Sequence, residues 1–168
     1  MKTLLILRHA KSSWDNPDIA DFDRPLNSRG LEAVPVMGGM LYKNHIQPQK
    51  ILSSPAKRAK QTAILIKETA QIEAKINYVE GIYEASPLRL LNIVSEVEDK
   101  FDSVLLVGHN PGLEGFVKML TRESYELPTA TIVKIDLDIE SWHEITVNRG
   151  KVSLYVRPKD EMKDAATI

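Results

Sequence analysis

Hydrophobic residues in this chain appear first as short unbroken runs and later as alternation. Leu4-Leu5-Ile6-Leu7 and Val104-Leu105-Leu106-Val107 are four-residue apolar blocks, the pattern of strands covered on both faces in a parallel sheet. Shorter strands are predicted at 50–53 and 76–79. Helical spacing fills the intervals. Leu31, Val34, Met37 and Leu41 follow a cap at Ser28, with a kink expected at Pro35 and Gly38-Gly39. Ala59, Ala63, Ile66 and Ala70 follow Ser54-Pro55; Leu90, Val94 and Val97 follow Ser86-Pro87; Leu113, Phe116, Val117 and Leu120 follow Asn110-Pro111. Each of these three dipeptides pairs a capping side chain with proline at the first helical position.

After Pro128 the pattern changes to alternation over 131–137, 142–147 and 152–156, as in antiparallel strands closing a sheet edge. Strand–helix alternation followed by such strands predicts an α/β fold: a three-layer α/β/α sandwich around a mostly parallel mixed sheet. Residues 1–157 form one domain in this reading, and 158–168 a loose polar tail.

Composition narrows the function classes. The chain has 168 residues, 43% hydrophobic and 27% charged, with no cysteine and a net charge of −1. Lack of cysteine excludes a disulfide framework, a thiolate nucleophile and a Cys-ligated zinc site. Near-neutral charge gives no electrostatic footprint for nucleic acid. No apolar stretch approaches the ~20 residues of a membrane span, and the N-terminal run is too short for a signal-peptide core. The expectation is a cytoplasmic protein with no nucleic-acid or membrane partner.

Four basic groups stand at strand ends or in the first turns of helices: Arg8, His9, Arg58 and His109. Ligands of open α/β sheets bind beyond the carboxyl ends of the strands. If those strands are parallel neighbours, the four side chains converge, with helix N-termini nearby. The matching guest is phosphate, since a guanidinium fork fits its oxygens.

Here the chain resembles a known family. Arg8-His9-Ala10 is similar to the Arg-His-Gly motif of the histidine phosphatase superfamily. Ser54-Pro55-Ala56-Lys57-Arg58-Ala59-Lys60-Gln61-Thr62 resembles its second motif, and Gly108-His109-Asn110-Pro111 its third. Asp23-Arg24-Pro25-Leu26 followed by Gly30 resembles the small SixA-type phosphohistidine phosphatases. The resemblance implies a phosphoglycerate mutase-like fold and two-step phosphoryl transfer without a metal or other cofactor. His9 would be the nucleophile, with Arg8, Arg58 and His109 holding the phosphoryl oxygens. Glu84, in Ile82-Tyr83-Glu84, is the candidate proton donor, with Glu80 the fallback, and Ser12 and Arg24 are candidate substrate contacts. Arg24 could equally form an ion pair with Asp21 or Asp23.

Two positions depart from the pattern. Ala10 replaces glycine, and Asp15 stands where a phosphate-binding Asn would fall, so that contact is not carried over. His45 and His143 read as surface residues, Trp14 as a pocket wall and Trp142 as edge-strand packing. The implied substrate is phosphohistidine on a protein such as a histidine phosphotransfer domain. The alternatives are a small-metabolite phosphomonoesterase of the same superfamily and a non-enzymatic phosphoprotein-binding module.

Overall fold

The two apolar blocks become neighbouring strands at the centre of one sheet. A computed structural model describes residues 1–166, with side chains described through residue 162. Its strands are β1 (Lys2–Arg8), β2 (Lys50–Ser53), β3 (Ile76–Tyr78), β4 (Ser103–Gly108), β5 (Ile132–Leu137) and β6 (Gly150–Val156). Its helices are α1 (Ser28–Lys43), α2 (Lys57–Thr69), α3 (Pro87–Ser95), α4 (Gly112–Thr121) and α5 (Pro158–Ala166). The strand order is β3-β2-β4-β1-β5-β6. β3, β2, β4 and β1 are parallel, β5 runs antiparallel beside β1, and β6 pairs antiparallel with β5 at the edge. The α/β sandwich expected from the pattern is therefore the fold.

Strand periodicity divides each apolar block between two cores. Leu4, Ile6, Val104 and Leu106 pack with Leu90, Val94, Phe116 and Leu120 of α3 and α4. Leu5, Leu7, Leu105 and Val107 pack on the other face with Val34, Met37, Ala63 and Ile66 of α1 and α2. All eight strand residues are buried, which is why these blocks carry no polar alternation. Among the described residues no helix is long and apolar enough to cross a membrane.

The sheet topology creates the crevice. α1 follows β1 on one face, and α4 follows β4 on the other, although β1 and β4 are adjacent. The chain leaves two neighbouring strand ends in opposite directions, which opens a cleft at their carboxyl side. The register pairs Arg8 with Gly108 across that end.

Several local expectations are corrected. α1 is capped by Asn27, whose side chain accepts from the Gly30 amide at 2.9 Å, rather than by Ser28. The helix runs unbroken through Pro35, and Leu31 is exposed where the spacing placed it in the core. α2 and α4 begin at Lys57 and Gly112, later than their dipeptides predict, because Ser54 and Asn110 are used elsewhere. Residues 142–147 form no strand. Trp142 is fully buried at the start of a 3-10 turn, its indole donating to the Phe101 carbonyl at 2.7 Å and its amide to Asp99 at 2.9 Å. Burying the indole with its N–H satisfied outweighs continuing the alternation as a strand.

The expected loose tail is helical over Pro158–Ala166 and packs beside α1; residues 167–168 lie outside the described residues. Proline at its first position, Asp160 and Glu161 in the first turn, and an Arg157–Asp160 ion pair of 2.9 Å favour that helix.

Gly30 sets how closely the loop after β1 approaches α1. A Cβ at this position would lie 2.2 Å from the Lys11 carbonyl oxygen, whereas Gly→Ala inside a helix is ordinarily stabilising by ~1 kcal/mol. Gly30→Ala is therefore expected to destabilise the protein in urea unfolding. A gain in stability would show that the Lys11 backbone is not pinned there.

Candidate active site

Each strand end delivers one part of the site. β1 ends in Arg8 and His9, β4 leads into His109, and β2 leads through Ser54-Pro55 to Arg58 in the first turn of α2. The four residues predicted to meet line one cavity of about 580 Å³, together with Ser12, Trp14 and Arg24. The rings of His9 and His109 lie 5.1 Å apart.

His9 is 7% exposed, and its Nδ1 lies 2.7 Å from the Ala10 carbonyl oxygen. That carbonyl can only accept, so Nδ1 carries the proton and Nε2 the free lone pair. Burial, then His109, Arg58 and Arg8 nearby, lowers its pKa to about 3 against the opposing Ala10 contact. His109 is lowered to about 4, by burial first and then by Arg58. Its Nε2 lies 2.7 Å from the Ser54 hydroxyl, while Nδ1 is buried without a protein partner. If Ser54 donates to Nε2, Nδ1–H remains free to donate to an anion.

The arginines are anchored by one edge and left free along another. Arg8 Nη1 donates to the Leu127 carbonyl at 2.9 Å. Arg58 Nη1 donates to the Asp21 carbonyl at 2.7 Å, and Nη2 to the Asp21 carboxylate at 3.1 Å. Both Nε atoms are buried without a protein partner. Buried polar atoms without a partner are costly, and three of them belong to residues that line one cavity with His9.

Asp21 is a site residue that the sequence offered only as a possible partner of Arg24. It accepts from Arg24 Nε at 3.1 Å, lies 3.1 Å from Arg24 Nη2 as an ion pair, and accepts from Arg58 and from the Tyr83 hydroxyl, the latter at 2.5 Å. Those bonds, Tyr83 first and then Arg58, hold its pKa down to about 2 against partial burial. It is a carboxylate anchor for both guanidiniums, and in the free protein it carries no proton to donate. Arg24 also bonds Ser12 Oγ at 2.7 Å and stacks over Trp14. Ser12 and Arg24 thus brace each other at the cavity wall, and the ion-pair alternative for Arg24 is realised with Asp21.

Glu84 lies apart from the first cavity. It lines a neighbouring one with Asp21, Tyr83, Arg58 and His109, is exposed, and has φ of 57°. Glu80 is exposed in the preceding 3-10 turn. Asp15 and Asn16 are exposed and absent from both walls.

Residues around the catalytic candidates hold the loops together. Thr62 Oγ1 accepts from the Ala10 amide at 3.0 Å and donates to the Arg58 carbonyl at 2.7 Å. Gln61 accepts from the Leu26 amide at 2.8 Å. Asn110 Nδ2 donates to the same Leu127 carbonyl that anchors Arg8, at 2.9 Å. Ala10 is fully buried against the α1–α2 core, so the methyl that replaces glycine's hydrogen has apolar packing. Among the described residues no group of three His, Asp or Glu stands close enough to hold a metal.

Comparison with known proteins places this architecture. Residues 4–87 match the model of the histidine phosphatase superfamily (branch 1). An uncharacterized protein of Mycobacterium leprae is 30% identical over 166 residues, covering 91% of this chain and all of that protein. An uncharacterized chloroplastic protein of Arabidopsis thaliana is 31% identical over 154 residues, covering 85% and 70% of the two chains. A structure from Agrobacterium tumefaciens, assigned as the phosphohistidine phosphatase SixA, superposes with a TM-score of 0.82 at 26% identity. That match covers 94% of this chain and 98% of the other. At 22% identity and a TM-score of 0.78, the protein histidine phosphatase SixA complexed with tungstate shares the fold over the same extents. A parallel sheet that gathers two arginines and two histidines at its carboxyl edge is the build of a phosphoryl-transfer enzyme. The chain belongs to the histidine phosphatase superfamily, SixA type, and is a phosphatase.

Two measurements check the electrostatics. Histidine ring NMR should show His9 neutral down to at least pH 5; a midpoint near the ordinary 6.5 would contradict its burial among cations. Asp21 has a folded pKa below its ordinary 3.8, so its stabilising contribution is full above that value and lost as pH falls toward 2. Asp21→Asn should therefore flatten the loss of stability between pH 4 and 2 in urea titrations; an unchanged slope would show that the anchor contributes nothing.

Proposed function

We propose that this chain hydrolyses phosphohistidine on a protein through a phosphorylated His9. One observation carries the reading: Arg8, Arg58 and His109, each with a buried nitrogen lacking a protein partner, line one cavity with an imidazole whose Nε2 is unprotonated. In the first step the Nε2 lone pair attacks phosphorus in line. A new P–N bond forms as the substrate's P–N bond breaks, and its electron pair leaves with the substrate imidazole, which takes a proton. In the second step water attacks phosphorus and the bond to His9 breaks, releasing phosphate. Arg8, Arg58 and His109 hold the three equatorial oxygens and stabilise their charge, each charge-assisted bond contributing about 1.5–3 kcal/mol.

No metal is needed in this scheme, since two guanidiniums and a ring N–H supply the positive potential. Glu84 is the proposed source of the proton for the leaving group or the acceptor of one from water. Its cavity adjoins the phosphate site through Arg58 and His109. A leaving imidazole that arrives protonated lowers the demand on it. Asp21, held anionic, is less suited to that role.

The form of the rim supports a protein substrate. Only three residues separate β2 from α2 and β4 from α4, so no insertion roofs the cavity there. The long loop between β1 and α1 presents Trp14, Ile19 and Phe22 to solvent, Trp14 at 77% exposure. Exposed apolar side chains around a reactive cavity suit a macromolecular face better than a small polar molecule. A histidine phosphotransfer domain, with its phosphohistidine on an exposed helix, has the required form.

His9→Ala should reduce turnover of an aryl phosphate by at least a thousandfold while circular dichroism remains unchanged. Rapid acid-free quenching of the intact chain should trap phosphate on His9, and EDTA should leave the rate unaltered. Residual turnover near that of the intact chain would remove His9 as nucleophile. Faster turnover of phosphorylated metabolites than of a phosphohistidine protein would overturn the substrate class.

A further inference from the structure

We infer that Lys11 and Arg29 form a second anion subsite beside the phosphate site, and that the true substrate carries an additional acidic group next to its phosphoryl group. This inference rests on the proposed phosphatase site. Its starting point is a charge imbalance. The whole chain has 22 Lys and Arg against 23 Asp and Glu. Yet the wall of the phosphate cavity contains Arg8, Lys11, Arg24, Arg29 and Arg58 and, among the described residues, no carboxylate.

Three of these cations are accounted for. Arg8 and Arg58 face the transferred phosphoryl group, and Arg24 is neutralised by Asp21 at 3.1 Å. Lys11 and Arg29 are left, both exposed, and among the described residues neither meets a carboxylate within ion-pair distance. Their backbones are fixed together. The Lys11 carbonyl accepts from the Asn27 amide at 2.9 Å, and Gly30 leaves no room between that carbonyl and the first turn of α1. The Asn27 side chain adds a bond to the Ser12 carbonyl at 3.3 Å. Two flexible cations thus project from one rigid corner of the cavity.

That corner is also where the cavity continues outward. Lys11, Arg29 and Thr129 line both the phosphate cavity and an adjoining groove, whose other charged lining residues are Glu32, Glu126, Arg157 and Lys159. Arg157 is already paired with Asp160. A group attached to the transferred phosphoryl and entering this groove meets Lys11 and Arg29 first. The chemistry that they recognise is a second anion: a carboxylate or phosphate a few bonds from the reacting phosphorus. An acidic side chain flanking phosphohistidine fits the protein substrate argued above, and a bisphosphorylated small molecule carries the same chemistry.

The test measures binding, so that it does not depend on catalysis. His9→Ala protein is titrated by calorimetry with two peptides bearing a hydrolysis-resistant phosphohistidine analogue, one flanked by Asp and Glu, the other by Asn and Gln. A parallel arm compares 1,3-propanediol bisphosphate with 3-hydroxypropyl phosphate. Two exposed ion pairs should favour the acidic ligand by about five- to tenfold. Adding Lys11→Ala and Arg29→Ala should abolish that preference with circular dichroism unchanged. Removing equal charge away from the cavity, by Lys43→Ala and Lys60→Ala, should leave it intact. A preference confined to the peptide arm assigns the acidic group to a protein, and one confined to the bisphosphate assigns it to a small molecule. Equal affinities in both arms, or a preference that survives loss of Lys11 and Arg29, overturns the subsite. Failure of the intact chain to turn over an aryl phosphate overturns the catalytic reading instead, independently of these affinities.

Discussion

Burial of a cluster of basic groups at the sheet edge, compounded by their mutual repulsion, is the constraint on which the site depends. Arg8, Arg58, His9 and His109 converge in a wall that is largely removed from water, where like charges cannot all be carried. The conflict resolves by type of residue. The guanidiniums keep their charge because a deprotonated arginine is not accessible, and the imidazoles lose theirs, with pKa values driven to about 3 and 4. A nucleophile needs a free lone pair and a phosphate needs positive charge. Burial and repulsion together leave neutral imidazoles beside charged guanidiniums, so the His9 lone pair is free without a separate base.

Two guanidiniums are kept there by anchors that leave each Nε unpaired. Leu127 and Asp21 supply carbonyl oxygens, and Asp21 adds its carboxylate, all directed at terminal nitrogens. Asp21 lies on the long loop between β1 and α1, and Leu127 lies between α4 and β5. The loops of the fold are therefore not only rims; they are what the arginines stand on. Thr62 closes the arrangement by linking the Ala10 amide to the Arg58 carbonyl, so the segment that carries His9 out of β1 and the helix that carries Arg58 share a joint.

Which parts of this were legible in the sequence follows from the range of each interaction. Buried strands and the four basic residues announce themselves locally, since an apolar block ending in Arg-His needs no distant partner to be recognised. Ser54 and Asn110 looked like helix caps because capping is also a local signal, but tertiary bonds to His109 and Leu127 took both side chains, and the helices start later. Trp142 sat in a correct alternation that the indole's need for a deep pocket and an acceptor overrode. Asp21 could not be ranked above Asp23 by any local rule. What selects it is Arg58, 37 positions away, and that proximity exists only in the folded chain.

The division of charge between Asp21 and the outer cations extends this logic from structure to selectivity. A carboxylate fixed on Arg24 and Arg58 lowers the net positive potential of the inner cavity, which would otherwise hold product phosphate strongly. Among the described residues Lys11 and Arg29 meet no such counter-ion, so unneutralised charge lies at the mouth of the cavity. On the proposed reading, a site arranged in this way draws discrimination from what is attached to the transferred group. In that reading, Arg8, His9, Arg58 and His109 act on the phosphoryl group while Lys11 and Arg29 select what is attached to it.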